Sequence, residues 1–300
     1  MQQDEDMATL VSLAASNPED FKVLRRLVIK VGPTGLGDIE ARSPGRGVGL
    51  AIDVETMGLN IDCDPIIELG LRRFKYDATG VITTIDRAYS WHEDPGRPIP
   101  DEITRITGLC DADVAGQSID DEEVARLIGS ASVCIAHHAA FDRPRIERRI
   151  PAIKGQAWAC SMAEIPWAEN GFEGTKLGPL LNTCGFFHRP HRAVDDVDAV
   201  IGLLRHEFDD GRTALSVMLE RAASPSWVCR AIGASFDVKD KLKARGYRWE
   251  PRGRFWWGEF DRDEREREEW WLAANVYAVS ANSRCMGPEW IERDWTVRHG

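Results

Sequence analysis

The chain has 300 residues, with 38 Lys and Arg against 49 Asp and Glu, so its net charge at pH 7 is −11. This balance argues against a protein that coats nucleic acid through bulk positive charge, but it permits an enzyme whose metal ions neutralise phosphates at one site. No apolar run approaches the roughly 20 residues that span a bilayer, and the acidic N-terminus does not resemble a secretory signal. The seven cysteines lie far apart without C-x-x-C spacing. We therefore expect reduced thiols in a cytoplasmic protein without a membrane partner.

Residues 1–47 are predicted to form a helical N-terminal extension and a linker. The pattern of residues 6–30 indicates a helix, and Asn17-Pro18-Glu19-Asp20 is typical of a helix start, with an amide cap, a first-turn proline and acids near the helix dipole. The glycine-rich residues 32–47 indicate a loose linker.

Residues 48–224 are predicted to form an α/β domain. Short apolar or alternating segments indicate strands at residues 48–52, 66–74, 80–91 and 132–136, with a turn at residues 77–80. Helices are predicted near residues 120–128, 143–150, 175–183 and 194–207. Three strands followed by alternating helices and strands indicate a mixed sheet.

Two carboxylates, Asp53 and Glu55, stand where the first apolar strand ends. Residues two apart in a strand point to the same face, and two close carboxylates repel each other unless a cation lies between them. An Asp-x-Glu pair at a strand end is commonly solvated, however. The pair alone is therefore weak support for a metal site.

Two further clusters contain acids and histidines. Asp142 follows the strand at residues 132–136 and falls at a predicted helix start, where an N-cap is the simpler interpretation. Asp196 lies beside the apolar stripe of the helix at residues 194–207, so it should face the body of the protein, where an acid needs a partner. His191 is predicted in the loop before that helix.

Taken together, the three clusters resemble the motifs of the 3′–5′ exonuclease family with an Asp-Glu-Asp-Asp-His active site, which includes the proofreading (epsilon) subunit of bacterial replicative polymerase. The matching segments are Asp53-x-Glu55-Thr56, His137-x-Ala139-x-Phe141-Asp142 and His191-x-Ala193-x-x-Asp196. The resemblance covers roughly residues 48–210. One departure is His138, which replaces the usual asparagine. The histidine branch of the family is indicated, because His191 stands five residues before Asp196 and Arg192 occupies the position where the tyrosine branch would have its tyrosine.

The resemblance implies a ribonuclease-H-like fold, a mixed five-stranded sheet flanked by helices. Asp53, Glu55, Asp142 and Asp196 would bind two divalent cations, Mg²⁺ or Mn²⁺, and His191 would accept a proton from the attacking water. The expected reaction releases nucleoside 5′-monophosphates from single-stranded 3′ ends, with DNA favoured over RNA. The substrate-binding positions implied are Thr56, Met57, Leu59, His137, His138, Phe141 and Arg192.

Several alternatives stay open at this point. The chain could be a 3′–5′ exoribonuclease, or a non-catalytic subunit that binds nucleic acid or serves as a scaffold. The sequence leaves open a homodimer and a polymerase or repair partner. The arginines after Asp142 either hold the substrate backbone or form a solvated helix face; they are Arg143, Arg145, Arg148 and Arg149.

Residues 225–300 are predicted to form a small α/β module, because eight of the eleven tryptophans lie there and residues 222–226 suit a domain join. We expect a short basic helix capped by Asp237, a hairpin around Pro251-Arg252-Gly253, and a charged helix that begins at Asp261. Aromatic residues interleaved with Lys and Arg favour a platform for single-stranded nucleic acid. A small core built from tryptophans is the simpler alternative.

Overall fold

The computed structural model describes residues 2–17, 19–37, 47–278 and 287–300, with side chains from residue 9 onward. The chain divides into two compact units, Met1–Arg221 with His299–Gly300, and Ala222–Arg298. Within the described ranges, no helix has the length and apolar character needed to cross a membrane. Every cysteine in those ranges is a free thiol.

In the part of the first unit that the structure describes, there are a six-stranded mixed sheet and a separate two-stranded ribbon. The strands in chain order are β1 (Arg25–Arg26), β2 (Gly32–Pro33), β3 (Gly47–Thr56), β4 (Ile66–Tyr76), β5 (Ile82–His92), β6 (Val133–Ala136), β7 (Trp158–Cys160) and β8 (Phe186–Phe187). The sheet order is β2-β5-β4-β3-β6-β7, and β1 pairs with β8 outside it. Strands β3, β4 and β5 are antiparallel, whereas β6 runs parallel to β3 and β7 runs parallel to β6.

The predicted fold class is therefore confirmed, with one more strand than expected. The sixth strand, β2, pairs with Thr84 and Ile85 of β5, where a loose linker was predicted. That part of the linker prediction is wrong, since backbone hydrogen bonds to an open sheet edge order these residues. Residues 38–46 of the predicted linker lie outside the described residues.

The α-helices of this part of the chain are, in chain order, α1 (Gln2–Ser16), α2 (Asp101–Thr107), α3 (Asp111–Val114), α4 (Asp121–Gly129), α5 (Ala139–Arg149), α6 (Leu177–Thr183), α7 (Ala193–Leu204) and α8 (Ala214–Ala223). The four helices predicted in the α/β domain are confirmed as α4 to α7. Leu50 and Ile52 of β3 are fully buried and share a core with Leu127 of α4 and Trp158 of β7. Burying such side chains stabilises the fold by roughly 1.5–3 kcal/mol each.

The helix prediction for residues 17–30 is wrong. Helix α1 ends at Ser16, and the side-chain amide of Asn17 donates a hydrogen bond to the Leu13 carbonyl at 3.0 Å. An asparagine amide can bond to groups at either end of a helix, and here it serves the end rather than the start. The chain then continues to β1, whose backbone pairs in parallel with β8.

Among its described residues, the second unit has a four-stranded antiparallel sheet and two α-helices. Its strands are β9 (Ser226–Ala231), β10 (Arg248–Glu250), β11 (Phe255–Phe260) and β12 (Glu289–Arg293), in the order β10-β11-β9-β12; its helices are α9 (Lys239–Ala244) and α10 (Arg262–Leu272). The predicted hairpin is confirmed as β10 and β11. Asp261 caps α10 as predicted, in a reciprocal pair with Glu264.

One cap in this unit was predicted incorrectly. The Ser235 hydroxyl accepts a hydrogen bond from the Asp237 backbone at 3.3 Å, so serine caps the turn and Asp237 lies inside it. The unit's core includes Cys229, Leu242 and Tyr247, with Trp256 and Trp290 partly buried against it. Some of the tryptophans therefore do serve as core.

Candidate active site

The ends of β3 and α7 meet at a cluster of carboxylates. Asp53 and Glu55 lie on one face at the end of β3, and Asp196 lies in the first turn of α7. One oxygen from each of these three side chains can be chosen so that all lie within 4.8 Å of one another. Asp53 and Glu55 share a face because strand residues two apart point the same way. The packing of α7 against β3 and β4 brings Asp196 close to them.

A glycine in β4 allows the start of α7 to lie close to that strand. Gly70 of β4 is the cross-strand neighbour of Asp53. A Cβ atom at Gly70 would lie 2.6 Å from the carbonyl carbon of Ala193 and 2.8 Å from the amide nitrogen of Val194. Real Cβ atoms do not come so near to backbone, so the start of α7 packs against β4 only because this residue has no side chain.

The fourth motif carboxylate, Asp142, lies in the first turn of α5. The helix begins at Ala139 with His138 at its cap position, so Asp142 is not the N-cap. Its Oδ1 accepts a hydrogen bond from the backbone N–H of Val54 at 3.1 Å. Because Val54 stands between Asp53 and Glu55, this bond fixes α5 against the end of β3.

The cluster is electrostatically unfavourable without a cation. Burial raises the pKa of Asp53 well above its usual value, and the neighbouring charges of Asp142, Asp196, Glu55 and Glu68 raise it further. Burial together with Asp196 and Glu68 raises the pKa of Glu55 to about 8. The pKa of Asp142 rises to about 7, chiefly through burial. Clustered hard oxygen donors with excess negative charge are what a divalent cation requires, so these residues fit such an ion.

A fifth acid, Glu68, borders the cluster and was missed by the sequence analysis. It stands opposite Glu55 on β4 and is 1% exposed. Its carboxylate accepts hydrogen bonds from Nε and Nη2 of Arg192 and from the Ala193 backbone, each at 3.2 Å. The signal that could have revealed it is an acid within the apolar segment 66–71, which needs a partner when buried.

The loop before α7 carries two histidines, of which one contacts Asp196. His191 is in the loop before α7 as predicted, with an exposed side chain and a left-handed backbone (φ 64°). His188, for which the sequence predicted no separate role, lies with its Nε2 2.9 Å from Oδ1 of Asp196. The backbone N–H of Arg192 donates to Oδ2 of the same carboxylate at 3.1 Å. The loop thus orients Asp196 through two contacts.

The three positions after the first motif differ in their exposure. Thr56 is buried, and its hydroxyl donates to the Gly58 carbonyl at 2.6 Å. Met57 is also buried, packed in a core with Ile67 and Leu109. Leu59 is 85% exposed. Of these three, Leu59 presents the largest free apolar surface near the cluster.

The second motif supplies a pair of rings. His138 is exposed and stacks on Phe141 with 6.1 Å between ring centroids. His137 is held on both sides, with Nδ1 2.9 Å from the Ser161 hydroxyl and Nε2 2.7 Å from the Thr175 carbonyl. Burial also lowers the pKa of His137 to about 4. His137 is therefore neutral and fixed in place at neutral pH.

The arginines of α5 have partners within the protein, which favours the structural interpretation over contact with the substrate backbone. Arg145 lies over the Phe141 ring at 3.5 Å and donates to the Leu59 carbonyl at 2.7 Å, so it joins the loop after β3 to α5. The other three form ion pairs: Arg143 with Glu147, Arg148 with Asp62, and Arg149 with Glu93 and Asp121.

Comparison with known proteins identifies the class. The sequence profile of the RNase T-type exonucleases matches residues 50–204, just over half of the chain, and the chain therefore belongs to this exonuclease family. This match confirms the resemblance to the DEDD-type 3′–5′ exonucleases that the sequence indicated. Residues 205–300 lie outside the match.

Two relatives each match part of the chain. A 166-residue segment is 30% identical to the PolC-type DNA polymerase III of Clostridium perfringens and covers 53% of this chain and 11% of the polymerase. A 115-residue segment is 28% identical to ribonuclease T of Shewanella baltica and covers 34% of this chain and 51% of that enzyme. The chain thus spans about half the length of ribonuclease T and a small fraction of the polymerase.

Solved structures with a similar fold include two exonucleases. Exonuclease X, in complex with 5′-overhanging duplex DNA, is 23% identical with a TM-score of 0.40, covering 56% of this chain and 99% of that one. Exonuclease I of E. coli, in complex with single-stranded DNA, is 15% identical with a TM-score of 0.45, covering 62% of this chain and 48% of that one.

Proposed function

We propose that the chain is a divalent-metal-dependent 3′–5′ exonuclease that releases nucleoside 5′-monophosphates from single-stranded nucleic acid, with DNA favoured over RNA. The observation that carries the proposal is the approach of Asp53, Glu55 and Asp196 within 4.8 Å in a member of the exonuclease family. The raised pKa values of Asp53 and Glu55 support it, because a folded protein retains such repulsion where a cation offsets it.

Asp53, Glu55, Asp142 and Asp196 would hold two divalent cations, Mg²⁺ or Mn²⁺, since all four offer hard oxygen ligands. Such cations supply an activated water and offset the charge that develops on the phosphate during hydrolysis. The backbone N–H of Val54 fixes the Asp142 carboxylate, and His188 and Arg192 fix that of Asp196. The chain thereby holds two of its four ligands in place before any ion arrives.

His191 is proposed as the group that accepts the proton of the attacking water. It stands five residues before Asp196, and its exposed imidazole is free to reach solvent. An imidazole can accept a proton near neutral pH. His188 is the competing candidate, because it already lies against Asp196, but that contact favours a positioning role.

The terminal base is proposed to contact Leu59 and the stacked rings of His138 and Phe141. Arg145 supports this arrangement, since it lies over Phe141 while it holds the carbonyl of Leu59. An exposed apolar side chain next to a ring pair suits an unpaired base, whose faces are available for stacking. A single strand is therefore the favoured substrate.

DNA is favoured over RNA because the match to a DNA polymerase is longer than that to ribonuclease T. The polymerase match also supports a polymerase or repair assembly as the partner. The test uses end-labelled DNA and RNA oligonucleotides of one sequence, incubated with the chain and Mg²⁺. An Asp196→Asn variant serves as the control for contaminating nucleases.

The proposal expects stepwise loss of 3′ nucleotides from DNA, abolished by a chelator and by Asp196→Asn. Faster loss from RNA would establish the exoribonuclease alternative. If the chain binds the oligonucleotides with or without Mg²⁺ and degrades neither of them, it is a non-catalytic subunit and the proposal is contradicted.

A further inference from the structure

The second unit carries a set of cations without acidic partners. Between Arg230 and Arg254 there are eight Lys and Arg against three Asp and Glu. Six of the eight form no ion pair with any residue that the structure describes, whereas Arg230 and Arg245 pair with Glu289 and Glu268. The six are Lys239, Lys241 and Lys243 of α9 and Arg248, Arg252 and Arg254 of the β10–β11 hairpin.

An exposed tryptophan lies on the same hairpin. Trp249 of β10 is 49% exposed and stands opposite Trp256 of β11, with 5.5 Å between ring centroids. Cross-strand partners share one face of a sheet, and Trp256 packs against the core that contains Leu242 of α9. Trp249 therefore lies on the α9 side of the sheet, at its edge strand.

A second exposed ring accompanies the basic helix. Phe236, just before α9, is 75% exposed, and the Lys239 ammonium lies 3.9 Å from its ring centroid. Arg248 lies over the Trp257 ring on the other face of the sheet, since neighbouring strand residues point to opposite faces. We use the name basic surface for the other five of these cations together with Trp249 and Phe236.

The opposite charge is concentrated on the neighbouring helix α10, whose Glu264 and Glu268 line a pocket together with Lys241 of α9. Residues 259–269 hold seven acids and three arginines, mostly on α10. Trp270 of this helix is 80% exposed and shares a shallow pocket with Glu266 and Glu269. The unit therefore offers two exposed tryptophans of similar kind, one among cations and one among acids.

We propose that the basic surface binds a single-stranded nucleic acid, with Trp249 stacking a base while the cations contact backbone phosphates. This inference rests on the proposed function, because the bound strand would be the substrate of the exonuclease domain. Contacts between protein cations and phosphates release the counterions of the strand, which favours its binding, and an exposed aromatic ring can stack on any base. An acidic protein would use the cations but would leave both exposed rings without a role.

The first test measures binding without cleavage. A long fluorescent oligothymidylate is titrated into full-length chain carrying Asp53→Asn, and the affinity is read from anisotropy. Adding Trp249→Ala should weaken binding about 5- to 150-fold, since stacking contributes roughly 1–3 kcal/mol per base. Trp270→Ala is the matched control and should leave the affinity unchanged. Equal effects of the two substitutions would overturn the assignment of Trp249.

The second test follows the salt dependence of the same binding. The double variant Lys241→Gln/Lys243→Gln should reduce the slope of log affinity against log salt by about 0.7 for each phosphate that the variant no longer neutralises. The control is Arg126→Gln/Arg212→Gln, which removes the same charge from exposed arginines already paired with Glu123 and Asp210. The same change in both doubles would mean that net charge, and not the basic surface, governs binding.

The third test separates this inference from the proposed function. In chain with an intact catalytic cluster, Trp249→Ala should raise KM on long single strands and leave turnover of a dinucleotide unchanged. If the unsubstituted chain degrades neither substrate while the binding pattern holds, the exonuclease function fails and the basic surface stands. If Trp249→Ala and the lysine double variant both bind normally, the basic surface is overturned, and an acidic protein becomes the better occupant.

Discussion

Asp53 is the residue at which burial and like charge coincide most strongly. Its raised pKa means that the charged carboxylate is unfavourable in the metal-free protein. Asp53→Asn should therefore abolish nucleotide release in Mg²⁺ yet leave the melting temperature in a chelator unchanged or higher. Melting curves with and without Mg²⁺ check this, because only unsubstituted chain should gain strongly from the ion.

The control for that prediction is Asp62→Asn, which removes the same charge from an exposed side chain paired with Arg148. An exposed pair contributes about 0–1 kcal/mol, so activity and melting should change little. Full activity in Asp53→Asn would contradict the two-metal proposal.

The two histidines of the loop before α7 can be separated by their kinetics. His191→Ala should lower turnover about 10²–10⁴-fold, the usual contribution of a general base, while the metal requirement stays the same. His188→Ala should act mainly on the Mg²⁺ concentration needed, because His188 holds Asp196 at 2.9 Å. His138→Asn should be mild. A larger loss of saturated turnover in His188→Ala than in His191→Ala would transfer the role of base to His188.

At the scale of elements, the packing of α7 on β4 determines where Asp196 stands. Gly70→Ala would place a Cβ atom 2.6 Å from the Ala193 carbonyl carbon, so the start of α7 must move. We expect a loss of about 1–3 kcal/mol in stability, as for an overpacked core, together with reduced turnover. Chemical denaturation and nucleotide release measure the two effects.

The matched substitution is Gly129→Ala at the end of α4, where an added Cβ meets nothing within 4 Å. Alanine should be neutral there or stabilise by up to about 1 kcal/mol through helix propensity. Equal behaviour of the two alanine variants would show that the contact at Gly70 does not position α7.

The elements that could be predicted from sequence are those with strong local signals. The apolar run of β3 and the apolar stripe of α7 placed Asp53, Glu55 and Asp196 correctly, because strand and helix periodicity determine which face each side chain occupies. The partnership of Glu68 with Arg192 joins residues 124 positions apart, and no local pattern encodes it. The same holds for β1, a two-residue strand whose partner is the distant β8.

Across the whole molecule, the acidic cluster makes metal-free stability depend on pH. The folded pKa of Glu55, about 8, and that of Asp142, about 7, lie above their ordinary values near 4, so the folded state binds more protons between these limits. The free energy of unfolding in a chelator should therefore fall as pH rises from about 4 to 8. Denaturant titrations across this range measure the effect.

Saturating Mg²⁺ should flatten or reverse that dependence, because ion binding favours the deprotonated carboxylates. Glu55→Gln should flatten it in the chelator as well. A metal-free stability that rises steadily over the same interval would contradict the assigned electrostatics.

The pairing of β1 with β8 links the N-terminal extension to the loop that carries the histidines. The amides of Arg25 and Leu27 donate to the carbonyls of Gly185 and Phe187, and Phe187 directly precedes His188. The pairing closes the whole chain between Arg26 and Phe186 into one loop, which is entropically unfavourable. A ladder of two residues with exposed side chains also opens easily. During synthesis the extension must therefore wait for most of the first unit to fold before it can dock. In native-state hydrogen exchange, the amides of Arg25 and Leu27 should exchange well before those of β3, and each opening should release one anchor of the histidine loop.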